Sequence, residues 1–201
     1  QAMSLYIPNE QILDQIKSAN RTLKSEDVDW LSVEVSEDEN VIKFCNDYPT
    51  SCIGDDFMTR WAMYANTPLN NSTKEQLYPQ FLSFFEAIKN SFEEDGTDMR
   101  NYVPACVDLI CHWIQTAFVY EYDDKVWGGD RAFFADETLY YPYCDCEDRS
   151  ILLTRMVRDL LGLKCALVYY PGHLATAIAV GEDVKGDFIR INGTKFLVCD
   201  P

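Results

Sequence analysis

The stretch Cys146-Glu147-Asp148-Arg149-Ser150-Ile151-Leu152-Leu153-Thr154-Arg155-Met156-Val157-Arg158-Asp159-Leu160-Leu161-Gly162 decides the fold class of this chain. Leu152, Leu153, Met156, Val157, Leu160 and Leu161 recur at helical spacing and give a face broad enough for a buried helix. Gly162 stands where helices commonly end in a left-handed residue. Directly after it the period changes to that of strands. Cys165–Tyr170 and His173–Val180 read as strands joined by Pro171-Gly172. Asp187–Ile191 and Thr194–Cys199 flank Asn192-Gly193, a strong two-residue hairpin signal. Helices first and strands afterwards predict an α+β domain, with N-terminal helices packed on a C-terminal antiparallel sheet.

Upstream, residues 104–118 carry the helical stripe Cys106, Leu109, Ile110, Trp113, Ile114 and Ala117, with Pro104 in the first turn. A further helix is expected from Pro79, on the spacing of Phe81, Phe84, Phe85, Ile88 and Phe92. Residues 8–19 show a shorter helical pattern, and 31–36 alternate like a strand. Between 45 and 78 the pattern is weak, with turn signals at Pro49, Gly54, Pro68 and Asn70-Asn71-Ser72. The residues thus divide into a helical and irregular lead segment, 1–78, and a core, 79–201. The last strand runs straight into Asp200-Pro201, which predicts further sequence beyond it and a core truncated at its C-terminal end. The first residue is Gln1 rather than Met, which leans toward a processed, extracytoplasmic protein.

The chain has 201 residues, with 17 Lys and Arg against 33 Asp and Glu, a net charge of −16. So acidic a surface repels phosphate backbones and anionic lipid headgroups, which weighs against nucleic-acid and membrane-surface partners. Hydrophobic residues make up 47% of the chain, enough for a packed core. No apolar run approaches the ~18 residues of a membrane span, so no membrane insertion is expected. Two histidines exclude a His-rich metal site. The eight cysteines include one Cys-x-Cys pair, Cys144 and Cys146, with no second pair at zinc-site spacing. No metal and no other cofactor is expected.

Three residues stand out for chemistry. Cys146 opens the buried helix, His173 opens a strand after a Pro-Gly turn, and Asp200 ends the last strand. A thiol attacks a carbonyl as its thiolate, which a helix N-terminus and a neighbouring imidazole both favour. A carboxylate on the far ring nitrogen fixes the imidazole tautomer and steadies the imidazolium. That arrangement predicts a single hyper-reactive thiol at Cys146, with His173 outweighing the first-turn carboxylates Glu147 and Asp148.

The same residues carry a resemblance. Asp145-Cys146-Glu147-Asp148-Arg149-Ser150 resembles the helix start of the transglutaminase-like superfamily, especially bacterial members with a D-C-E-D-R motif. Pro171-Gly172-His173-Leu174-Ala175-Thr176-Ala177 is similar to that superfamily's G-H strand, and Lys195–Pro201 to its terminal strand. The match covers about residues 104–201. It implies a papain-like, transglutaminase-core fold and a triad of Cys146 as nucleophile, His173 as base and Asp200 as orienter. It also implies a cysteine protease, amidase or acyltransferase acting on peptide or Gln side-chain amides of a protein or peptide substrate. Hydrolysis, deamidation and transglutamination remain open. The alternative is a non-catalytic, protein-binding module of a larger protein.

The competing residues read more plainly. His112 falls opposite the apolar stripe of its helix and is expected to be solvated. Cys144 is expected to pack, and Asp148 and Arg149 to pair or cap. The long, aromatic segment 121–143 leads straight into the nucleophile and is expected to wall a substrate groove. Trp127, Tyr141 and Tyr143, with Gly172 beside His173, are its candidate substrate-binding residues. The Cys146 backbone N–H is one candidate oxyanion donor. Trp127 or Tyr143 is the candidate for the second.

Overall fold

The structure, a computed structural model, describes residues 57–201. The readings made on residues 8–19, on 31–36 and on the start of the chain lie outside the described residues.

The segment read as irregular holds a helix, α1 (Phe57–Asn66), and most of the first turns of a second, α2 (Asn71–Asp95). Asn70-Asn71-Ser72 is a cap rather than a turn between loops: the Ser72 N–H donates to Asn70 Oδ1 at 2.8 Å. Pro79, read as a helix start, lies inside α2, so the division at residue 79 cuts through one helix. After a 3₁₀ turn at Met99–Asn101 come α3 (Tyr102–Ala117), β1 (Val119–Tyr120), α4 (Asp123–Val126), α5 (Ala135–Tyr140) and β2 (Tyr143–Cys144). Helix α6 (Cys146–Leu161) follows, then β3 (Cys165–Tyr170), β4 (His173–Ile178), β5 (Phe188–Ile191) and β6 (Thr194–Cys199).

The α+β class holds for these residues. The last four strands form one antiparallel sheet in the order β3-β4-β6-β5. Asn192 and Gly193 take positive φ values of 51° and 82°, the backbone a tight hairpin requires. The parallel pair β1–β2 stands apart and joins Val119 to Tyr143 and Tyr120 to Cys144.

Helix α6 is the centre of the molecule. It packs on β4 and β3 and is covered by α1, α3 and α5. Ile151, Leu152, Leu153, Met156 and Val157 are all fully buried. Gly162 closes the helix at φ 65°, its N–H donating to Arg158 O at 3.1 Å. Arg155 and Arg158 reach from α6 to the end of α1: Arg155 Nη1 donates to Ala65 O and Asn66 O, both at 3.3 Å. These contacts satisfy carbonyls that a helix C-terminus leaves without internal partners.

Two hydroxyls fix the register of α6 on the sheet. Ser150 Oγ donates to Leu174 O at 3.0 Å, and Thr176 Oγ1 donates to Ser150 O at 3.0 Å. Thr176, with Leu174 and Ile178 on the same side of β4, therefore faces the helix. The first turns of α6 meet the first residues of β4, the strand that begins with His173. Among the described residues no helix is long and apolar enough to cross a membrane.

Candidate active site

The register of the sheet brings His173 and Asp200 together. Thr176 pairs with Cys199 and Ala177 with Val198, so continuing outward sets Asp200 opposite Ala175. His173 is then the diagonal neighbour of Asp200 on the same face. His173 Nε2 lies 3.0 Å from Asp200 Oδ1, which leaves Nδ1 for another partner. The Asp200 carbonyl is held from α3, where Gln115 Nε2 donates to it at 2.7 Å and the Cys111 thiol sits 3.8 Å away.

Cys146 is buried at the N-terminal end of α6. The backbone N–H of Leu174, the residue after His173, is directed at its sulfur. The first bond within the helix runs from Arg149 N to Asp145 O, so the Cys146 N–H precedes the helical ladder. Asp148 caps the helix by accepting the Asp145 N–H at 3.2 Å and also accepts the Phe133 N–H at 2.8 Å. Arg149 does not pair with Asp148. Its Nη2 donates to Phe118 O at 2.9 Å, and its guanidinium lies 5.1 Å from the Tyr120 ring.

The expectation of a depressed thiol pKa is not met. Burial pushes the Cys146 thiol up to about 12; the Leu174 N–H opposes this and Glu147 adds to it. The thiol donates to Glu147 Oε2 at 3.1 Å, so the resting sulfur is protonated and held by a carboxylate. The sequence reading expected His173 to outweigh the first-turn carboxylates Glu147 and Asp148. Glu147 is buried beside the sulfur, where water and salt screen it little. Cys106, Cys111, Cys144, Cys165 and Cys199 are also free thiols raised by burial.

The acidic residues around Cys146 converge in a way their spacing did not reveal. Asp123, Asp145 and Asp148 bring one carboxylate oxygen each within 4.8 Å of one another, and so do Asp123, Asp130 and Glu147. Oxygen sets of this kind are the type that holds a hard divalent cation. Among themselves the carboxylates repel. Burial, with Glu147 and Asp123 nearby, raises Asp145 to about 9, and burial raises Asp123 to about 7. Burial and Asp145 hold Asp148 well above the usual carboxylate range.

The segment from 121 to 142 is anchored at both ends near Cys146, through β1–β2 and the Glu121 N–H to Cys144 O bond of 3.2 Å. Its aromatic rings are not all available to a substrate. Trp127 and Tyr141 are 5% and 3% exposed and pack in a cluster with Phe133 and Tyr140. The Arg131 guanidinium lies 4.7 Å from the Trp127 ring and 5.3 Å from that of Tyr141, with Glu137 at 2.7 Å as its counter-ion. A buried arginine of this kind needs those rings and that carboxylate around it. Tyr143 is half-buried, and Gly172 is exposed at φ 74°, the left-handed turn before His173. His112 is exposed on α3.

Tyr120 was missed by the sequence reading. It is opposite Cys144 in the β1–β2 pair, 41% exposed, and its phenol reaches the Cys146 sulfur. Only the pairing of two distant short strands puts it there. A separate cavity of about 430 Å³ lies between α1, α6 and β3, where Trp61, Thr154, Leu167, Tyr169 and Leu174 line it.

No protein-family model, no curated protein and no solved structure matches this chain.

Proposed function

We propose that this chain is a cysteine-nucleophile acyl-transfer enzyme of papain-like, transglutaminase-core architecture, acting on peptide or Gln side-chain amides. The observation that carries this reading is the His173 Nε2 to Asp200 Oδ1 contact of 3.0 Å, one residue from the amide directed at the Cys146 sulfur. An imidazole held by a carboxylate at one nitrogen presents the other as a base. The buried thiol of Cys146, at a helix N-terminus and approached by the Leu174 amide next to His173, is the nucleophile this reading assigns.

The raised thiol sets the order of events. A resting thiol near 12 is not a preformed thiolate. His173 therefore takes the proton as sulfur attacks, in the manner of a serine nucleophile with its base. The carbon–sulfur bond forms, and the carbonyl electron pair moves to oxygen. Collapse breaks the carbon–nitrogen bond, and the His173 proton leaves with ammonia or an amine. Water or a second amine then takes the acyl group from the thioester, which gives hydrolysis or transfer. Gln115 acts at a distance, by fixing the Asp200 backbone.

Incubation with a Gln-rich protein and a fluorescent primary amine tests this, with ammonia release and peptide fragments followed alongside. The proposal expects one of the three signals from the native chain and none from Cys146→Ala or His173→Ala. Equal signals from all three proteins contradict it and leave the binding-module reading.

A further inference from the structure

We propose that the cavity between α1, α6 and β3 is a binding site for a small apolar carboxylic acid, an aromatic or branched body that bears one carboxylate. Binding there does not depend on the acyl-transfer reading. The cavity measures about 430 Å³, toward the small end of the range for small-molecule sites. Trp61, Leu167 and Leu174 line it with apolar surface, and Trp61 and Leu174 are buried. Tyr169 lines it from an exposed position, its ring 5.8 Å from that of Trp61 and tilted by 36°. Two rings set at an angle offer a flat or branched apolar group a face and an edge to pack against.

The polar end of the site consists of donors. Arg158 lines the cavity from α6 and is exposed, as is Asn66 at the end of α1. Arg158 Nη1 donates to Asn66 Oδ1 at 2.7 Å and to Ala65 O at 3.5 Å. Those neutral acceptors hold the guanidinium in place and leave its charge uncancelled. The adjacent carboxylate, Asp159, is paired with Arg155 instead. Among the described residues Arg158 has no carboxylate partner. In a chain with a net charge of −16 such a cation is the exception. With its oxygen engaged by Arg158, the Asn66 side chain offers the cavity its amide N–H groups. A guanidinium beside an amide N–H suits the two oxygens of a carboxylate and repels an ammonium group. An apolar interior and a cationic rim together select an acid whose charge stays at the opening.

3-Phenylpropionate and its neutral amide, 3-phenylpropionamide, share one body and differ in charge. Calorimetric titration of the full chain at pH 7 is expected to show one site for the acid, with an affinity about fivefold above that of the amide, the upper end for an ion pair near a surface. Arg158→Gln removes the charge and is expected to bring the acid down to the affinity of the amide. Ala62→Trp places an indole in the cavity from α1 and is expected to abolish binding of both. In the native chain the acid is expected to shift the Trp61 indole N–H signal in an NMR spectrum, assigned by its loss in Trp61→Phe, so the location does not rest on the folding of a variant. No binding to the native chain, equal native affinities for acid and amide, or a Trp61 signal that stays in place as the acid binds overturns the proposal. So does native affinity for the acid in Arg158→Gln or in Ala62→Trp.

Discussion

The His173 ring and the Asp200 carboxylate meet at 3.0 Å near the protein surface, with side chains 37% and 65% exposed. An ion pair or hydrogen bond so open to water contributes about 1 kcal/mol or less to folding. Its value to the proposed chemistry is larger, because it engages Nε2 and leaves Nδ1 for the role of base. Asp200→Ala is therefore expected to lower acylation of Cys146 by about 10²-fold or more while leaving the urea midpoint nearly unchanged. A matching loss of stability would make Asp200 a structural residue instead.

Glu147 holds the Cys146 thiol at 3.1 Å and opposes its ionisation. Glu147→Gln removes the charge and keeps a polar side chain of the same shape. Alkylation of Cys146 at pH 7 is expected to rise by about tenfold, the effect of one pKa unit. Quantitative mass spectrometry of iodoacetamide labelling at each cysteine reads this directly. An unchanged rate would place the cause of the raised thiol in burial and Asp145.

Asp145 near 9 and Asp123 near 7 make stability depend on pH in a direction opposite to that of salt-bridged carboxylates. Both folded values lie above the unfolded value of 3.8, so the folded state binds protons more tightly. Their contribution is fully present below about pH 4 and is lost as pH rises through about 7 and then 9. The net charge of −16 adds repulsion in the same sense. Urea midpoints are expected to fall from pH 5 to pH 9, and Asp145→Asn to flatten that slope. A midpoint that climbs over this range would contradict the buried acidic cluster.

Leu153 is fully buried on α6, the helix on which α1, α3, α5, β3 and β4 pack. Leu153→Ala leaves a cavity where little can collapse into it. A loss of about 2–5 kcal/mol in unfolding free energy is expected from denaturant titration. A cost under about 1 kcal/mol would mean that α6 is not the centre of the core.

How much was legible in the sequence differs element by element. Helix α6 and the Asn192-Gly193 hairpin were readable because each carries its own stop signal, at Gly162 and at the two positive-φ turn residues. Helix α1 was not, because Pro68 and the Asn70-Asn71-Ser72 cap crowd its end with residues that usually mark loops. The apposition of His173 and Asp200 follows from strand register once the hairpins are known. Tyr120 depends on a parallel pairing of two-residue strands, which no local pattern encodes. Likewise Asp123 and Asp130 meet Asp145, Glu147 and Asp148 only through the path of the 121–142 segment. The raised thiol was missed because its sign depends on the burial of Glu147, which the spacing of first-turn carboxylates does not show.

The acyl-enzyme itself is the most direct test of the account. The native chain is mixed with an activated peptide ester, quenched in acid within seconds and digested, and the acyl group is mapped by mass spectrometry. The account predicts a thioester on Cys146 that disappears on later addition of hydroxylamine, is absent from Cys146→Ala, and forms at least about 10²-fold more slowly in His173→Ala. Acylation spread over several thiols, or an equal rate of Cys146 acylation without the His173 imidazole, would contradict it.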